Sequence, residues 1–127
     1  MILEINTRSS LTICEQLRNQ IVLGIAAKKL IPGEPLPSVR SLAADLGINY
    51  HTVGKAYSSL CDQGYIIMDR RKGAVVADAL PSGGEFVSNL SKTLLLSAAE
   101  AVCHDMDEED FLELCTRQYK KAKGERL

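Results

Sequence analysis

The chain has 127 residues, 46% of them hydrophobic and 24% charged, with a net charge of −1, a balance that suits one compact core plus an appendage. Its longest apolar runs, around Ile21 to Ala27 and Leu94 to Leu96, fall far short of the ~18 residues of a membrane span. With neither a basic leader nor a cleavage site after Met1-Ile2-Leu3-Glu4, the expected location is cytoplasmic, with no membrane partner.

The charge is unevenly placed. Residues 1–78 carry nine cations against seven anions, and residues 79–127 carry six against nine. A weakly basic first part should meet an anionic partner through a few placed contacts and not through a broad field. No phosphate loop, nucleophile with its base, or paired carboxylates can be placed, so no enzyme and no cofactor are expected. Cys14, Cys61, Cys103 and Cys115 make no C-x-x-C, and His104 does not complete a ligand spacing, so the thiols read as reduced and no metal is expected.

In chain order, Leu3-Glu4-Ile5 alternates like a short edge strand. A scaffold helix from about Ile13 to Lys28 then places Ile13, Leu17, Ile21 and Ile25 at spacing four. Ile31-Pro32-Gly33-Glu34-Pro35 breaks the chain. Ser38 is a plausible N-cap for a second helix whose Val39, Leu42, Ala43 and Leu46 form one buried face, closed by Gly47. Asn49 caps a third helix with Val53, Ala56, Tyr57 and Leu60 inward, and Gly64 stops it. Its other face carries Tyr50, His51, Thr52, Lys55 and Ser59, polar and cationic groups of the kind a duplex major groove admits.

Two β-favouring runs follow, Tyr65 to Asp69 and Ala74 to Ala77, joined by Arg70-Arg71-Lys72-Gly73 as a basic hairpin turn with Gly73 at positive φ. Helix, turn, helix and β-ribbon with a cationic tip, in that order, make a winged helix-turn-helix. The fold class expected is therefore mainly α with a small β wing, followed by a helical tail.

Pro81-Ser82-Gly83-Gly84 punctuates the chain between residues 1–79, the winged domain, and residues 85–127. In the tail, Val87, Leu90, Leu94, Ala98, Ala101 and Val102 run down one helix to about Asp105. Asp107 caps another, whose apolar face is Phe111, Leu112, Cys115, Tyr119 and Ala122. Acidic residues at its start and lysines at its end follow the dipole. Two such helices cannot bury both stripes alone, so a second copy of the chain is the expected partner, with packing on the first domain as the alternative.

The run PGEPLPSVRSLAADLGINYHTVGKAYSSLCDQGYI, Pro32 to Ile66, resembles the DNA-binding domain of GntR-type bacterial transcription regulators. The Asn49-x-x-Thr52-Val53-x-Lys55-Ala56-Tyr57 form is similar to the YtrA-like subfamily, in which a small helical tail dimerises. By motif the resemblance covers residues 13 to 77, and by layout the whole chain.

The resemblance implies that Arg40 reaches a base edge, where bidentate pairing to guanine is the commonest specific contact. A surface pair with Asp45 is the alternative. It implies that Asn49, His51 and Thr52 touch bases or phosphates, that Lys55 binds phosphate, and that Gly73 lets backbone enter the minor groove. Three departures stand out: Gly54 where relatives carry a longer polar residue, Thr12-Ile13-Cys14-Glu15-Gln16 where they read Pro-Ile-Tyr-Glu-Gln, and a wing with more cations and one glycine fewer.

The leading expectation is a homodimeric repressor on double-stranded DNA, with no room for an effector pocket inside a two-helix tail. A winged-helix module for protein assembly, or a thiol sensor built on Cys103 and Cys115, are the alternatives.

Overall fold

The computed structural model describes residues 3–80 and 83–125, so the signal-peptide reading of Met1 and Ile2 and the linker reading of Pro81 and Ser82 lie outside the described residues. The chain divides into two compact units, residues 1–80 and 81–127. In order, the elements are α1 (Ile13–Ala26), α2 (Val39–Leu46), α3 (Tyr50–Asp62), β1 (Ile66–Asp69), β2 (Gly73–Val76), α4 (Gly84–Cys103) and α5 (Glu108–Ala122).

The expected edge strand at residues 3–5 is not formed. The side-chain amides of α1 take the place of a strand partner. Asn6 N–H donates to Gln16 Oε1 at 2.7 Å while Gln16 Nε2 donates to Asn6 O at 2.8 Å, and Gln20 exchanges the same pair of bonds with Glu4. Leu3 and Ile5 still pack on the core. Alternation predicts which side chains turn inward, but it cannot say whether backbone or glutamine satisfies the N–H groups between them.

Helix α1 starts where Thr12 Oγ1 accepts from Glu15 N–H and ends at Ala26, two residues before the expected Lys28. Lys28 adopts a left-handed φ of 60°, and Lys29 and Leu30 both donate to Gly24 O. That reversal carries Leu30 into the core against Gly24, where a Cβ would meet Leu30 Cδ1 at 3.1 Å. At its outer side Arg18 donates to Gln63 Oε1 at 3.0 Å and lies over the Tyr65 ring, tying α1 to the chain after α3.

Ser38 Oγ accepts from Ser41 N–H, and Gly47 closes α2 in the left-handed conformation at φ 66°. The chain then enters α3 through Asn49, which makes the tight turn of the helix pair possible. Leu17, Ile21, Val53, Leu60, Ile66 and Val76, drawn from α1, α3 and both strands, are the fully buried centre of the first unit.

The two strands are antiparallel with Ile66 opposite Val76 and Asp69 opposite Gly73. They begin one residue later and earlier, respectively, than the composition suggests, although Ala77 N–H still bonds to Tyr65 O. The Pro-Gly-rich breaker segment does more than turn. Gly33 N–H donates to Val76 O, Val76 N–H to Glu34 O and Leu36 N–H to Ala74 O, so residues 33–36 shield the far edge of β2. A covered edge has no free ladder to offer another chain.

In the second unit neither helix has a buried residue. Ala98, Ala101, Phe111, Cys115 and Ala122 are half-buried, while Val87, Leu90, Leu94, Leu95, Leu96, Val102, Leu112 and Tyr119 are exposed. Helix α4 ends at Cys103, two residues before the expected Asp105, which itself takes φ 58° in the turn. Asp107 occupies the N-cap of α5 with extended backbone, but its side chain makes no cap hydrogen bond. The dipole-favouring charges are in place, Glu108, Glu109 and Asp110 in the first turn and Lys120 and Lys121 in the last.

Candidate nucleic-acid interface

Helix α3 packs its Val53, Ala56, Tyr57 and Leu60 stripe inward. The 3.6-residue period then leaves His51, Lys55 and Ser58, all exposed, on the opposite side. Ser59, expected on this face, is half-buried, and Ser58, not among the expected residues, is the one in line with His51. Thr52 is likewise half-buried at the flank. Gly54 borders this face, and a Cβ built on it would have nothing within 4 Å.

Asn49 spends its Oδ1 on capping, accepting from His51 N–H at 2.8 Å. Ser38 similarly spends its oxygen on the α2 cap. Both residues therefore serve a helix terminus first, and what they can still offer a ligand is a donor: the Asn49 amide nitrogen or the Ser38 hydroxyl proton.

Arg40 is exposed in the first turn of α2. It does not pair with Asp45; the only ion pair among the described residues is Arg117 with Glu113 in α5. Instead its Cζ stands 5.1 Å from the centroid of the Tyr50 ring. The Tyr50 and His51 rings lie 4.2 Å apart at 31°. Arg40, Ala43, Ile48, Asn49 and Tyr50 line one open cleft of about 490 Å³ between the starts of α2 and α3. The turn between the helices thus brings together three of the singled-out residues, Arg40, Asn49 and Tyr50, each with a donor or cation to offer.

The wing tip is a separate element. Arg70, Arg71 and Lys72 are exposed at the end of the hairpin, and Gly73 takes φ 75° where β2 begins. Asp69 organises this loop: its Oδ1 accepts from Arg71 N–H at 2.8 Å and from Lys72 N–H at 3.0 Å. The Arg71 and then the Lys72 amide bonds hold the Asp69 carboxyl below the usual carboxylate range. An aspartate ahead of a turn that bonds the backbone two and three residues on is a recognisable sequence signal. It marks Asp69 as a support of the tip that the composition of the tip alone does not reveal.

No group of His, Cys, Asp and Glu among the described residues could hold a metal ion, and no described helix is long and apolar enough to cross a membrane. The four cysteines are free. Burial, and then the charge of Asp62, push the Cys61 thiol up.

Comparison with known proteins bears on this arrangement. The family described as bacterial regulatory proteins, gntR family, matches residues 10–76. A solved structure of a transcriptional antiterminator from Listeria monocytogenes EGD-e is 27% identical, with a TM-score of 0.91 over 100% of this chain and 96% of that one. YtrA from Sulfolobus acidocaldarius, a GntR-family transcription factor, is 34% identical, with a TM-score of 0.67 over 79% of this chain and 99% of that one. AraR(DBD), solved in complex with operator ORX1, is 26% identical, with a TM-score of 0.51 over 59% of this chain and 96% of that one.

Proposed function

This chain belongs to the gntR family of bacterial regulatory proteins, and we propose that it is a homodimeric repressor that reads an inverted-repeat operator in double-stranded DNA. The observation that carries this reading is the face of α3. His51, Lys55 and Ser58 are exposed in a row on α3, with no core to serve. An assembly module would present apolar side chains there. The AraR complex, in which a similar domain sits on an operator, supports the same use of the fold.

In this reading α3 enters the major groove. Arg40 reads a base edge, Asn49, His51 and Thr52 contact bases or phosphates at the helix N-terminus, and Lys55 meets phosphate. Arg70, Arg71 and Lys72 clamp the backbone, while Gly73 brings the hairpin close to the minor groove. Tyr50 and Ser38, at the starts of α3 and α2, complete the set of candidate DNA contacts.

The tail supports the dimer. Leu95, Leu96 and Val102 are each about two-thirds or more exposed, and Val87, Leu90, Leu94, Leu112 and Tyr119 add to the same unburied surface. Apolar area of this extent on a pair of helices is stable in water when a second copy covers it. Ala98, Phe111 and Cys115 are already half-buried within one chain, so the more exposed residues beside them are the ones left for the partner. Occupancy of an operator by such a dimer excludes other proteins from that DNA, which is repression in its simplest form.

Selection of bound duplexes from a random pool by the full chain tests the proposal. It should return an inverted repeat with half-sites about 10 base pairs apart or a multiple of that spacing. Failure to enrich any sequence would overturn it.

A further inference from the structure

The contact between Arg40 and Tyr50 neither caps a helix nor fills the core. It joins the first turn of α2 to the first turn of α3, two side chains that both reach solvent. A cation held against a ring within about 6 Å of its centroid is attracted by the negative face of the π system. Such a contact needs only the charge of the guanidinium, and no ion pair among the described residues occupies the Arg40 N–H groups. A carboxylate partner would do the reverse, consuming the N–H fork that a base must receive.

The geometry points to Tyr50 as the positioning residue that makes Arg40 selective for guanine. The ring holds the guanidinium in place before DNA arrives, so less rotamer freedom is lost on binding. It also leaves the N–H fork free for the guanine O6 and N7 acceptors. The ring is itself flanked: the His51 ring lies 4.2 Å from it, tilted by 31°, and the backbone N–H of His51 donates to Asn49 Oδ1. Asn49, His51 and Tyr50 thus form one support whose output is the direction of Arg40. The phenol oxygen plays no part in it. This inference rests on the DNA-binding reading and adds to it a specificity role for Tyr50 that acts through Arg40.

The test uses the full chain and a duplex selected from a random pool, with the guanine read by Arg40 identified as the base pair to which Arg40→Ala becomes indifferent. The probe pair is that duplex and its copy with 7-deazaguanine at the position, which lacks the N7 acceptor. The wild-type chain should prefer guanine by at least about fivefold. Tyr50→Ala should lower that preference by about two- to fivefold without changing the salt dependence of binding, and Tyr50→Phe should restore it. On an Arg40→Ala background, Tyr50→Ala should change the preference no further.

Equal weakening of both duplexes by Tyr50→Ala, or full additivity with Arg40→Ala, would show that the ring is an independent contact and overturn the assignment while leaving DNA binding intact. If the wild-type chain selects no duplex, the DNA-binding reading falls and this role falls with it. Circular dichroism on each variant separates either outcome from loss of fold.

Discussion

The hydroxyl of Tyr57 donates a 2.7 Å hydrogen bond to the carbonyl oxygen of Pro37, joining the middle of α3 to the residue just ahead of the α2 cap. Twenty residues apart in sequence, the two positions fix where the first turn of α2, and with it Arg40, stands relative to α3. Burial pushes the Tyr57 phenol up to about 12.

Tyr57→Phe should cost about 1 to 3 kcal/mol, because it leaves a part-buried carbonyl without its donor. The sign of the pH effect follows from a folded pKa above the unfolded value of about 10. The stabilisation is complete below about pH 10 and is lost as pH rises toward about 12. Wild-type stability in denaturant titrations should therefore fall across that window more than that of Tyr57→Phe; parallel curves would remove the ionisation from the explanation.

Asp69 should titrate in the opposite direction. Its depressed carboxyl pKa, caused by the Arg71 and Lys72 amides, means that the ordered wing tip is favoured above the ordinary carboxylate pKa and lost as pH falls through the lowered one. Amide chemical shifts of Arg71 and Lys72 followed on acidification should move together in the wild type and stay put in Asp69→Asn, which keeps an acceptor but does not titrate. Asp69→Ala should loosen the tip at neutral pH and weaken binding to every DNA sequence alike.

Gly54→Ala should separate stability from function. With no atom within 4 Å of the new Cβ, the substitution should raise stability by up to about 1 kcal/mol through helix propensity. If α3 lies against a duplex at that point, the same methyl group should lower DNA affinity. A variant that melts later and binds equally well would show that the groove is not approached at Gly54.

Residues after Glu85 should carry the association of two chains. A chain ended after Ala79 should sediment as a folded monomer and bind operator weakly, since each half-site would be held singly. Persistent dimerisation of that fragment would move the interface to the winged unit. Mild peroxide should leave binding by the full chain unchanged, because the Cys61 thiol is pushed up and away from its reactive form. A loss reversed by reductant would favour a sensor role for Cys103 and Cys115.

Much of the winged unit is legible from spacing alone. The stripes of α2 and α3, the Ser38 and Asn49 caps, the Gly47 closure and the basic hairpin each depend on neighbours within one or two turns. What spacing does not supply are contacts across the fold. The amides of Gln16 and Gln20 replace a strand partner, and the 33–36 segment protects β2 instead of merely breaking the chain.

The same divide runs through the site. Arg40 is legible as an exposed cation at a helix start, but its choice of Tyr50 over Asp45 depends on how the inter-helix turn places two side chains far apart in sequence. In the tail, spacing picks out the apolar stripe from Val87 to Val102, whereas Leu95 and Leu96 on its flank escape it. A single stripe is all that a hairpin needs; the wider apolar arc is what a further partner requires.

Arg40 and Arg71 should fail differently when each is replaced by alanine. Arg40→Ala should lower discrimination by about 1 to 3 kcal/mol per half-site at one base pair. Arg71→Ala should weaken all sequences and reduce the slope of log affinity against log salt by roughly 0.9 for each phosphate it no longer neutralises. Equal weakening of operator and scrambled DNA by Arg40→Ala would make it a phosphate ligand and move base reading to Asn49, His51 and Thr52.

The most direct measurement is a fluorescence-anisotropy titration of the full chain against its pool-selected duplex and a scrambled duplex of equal length at physiological salt. Two chains should bind each duplex, with a preference for the selected sequence of about a thousandfold or more. Equal affinity for the two duplexes would contradict the proposed function.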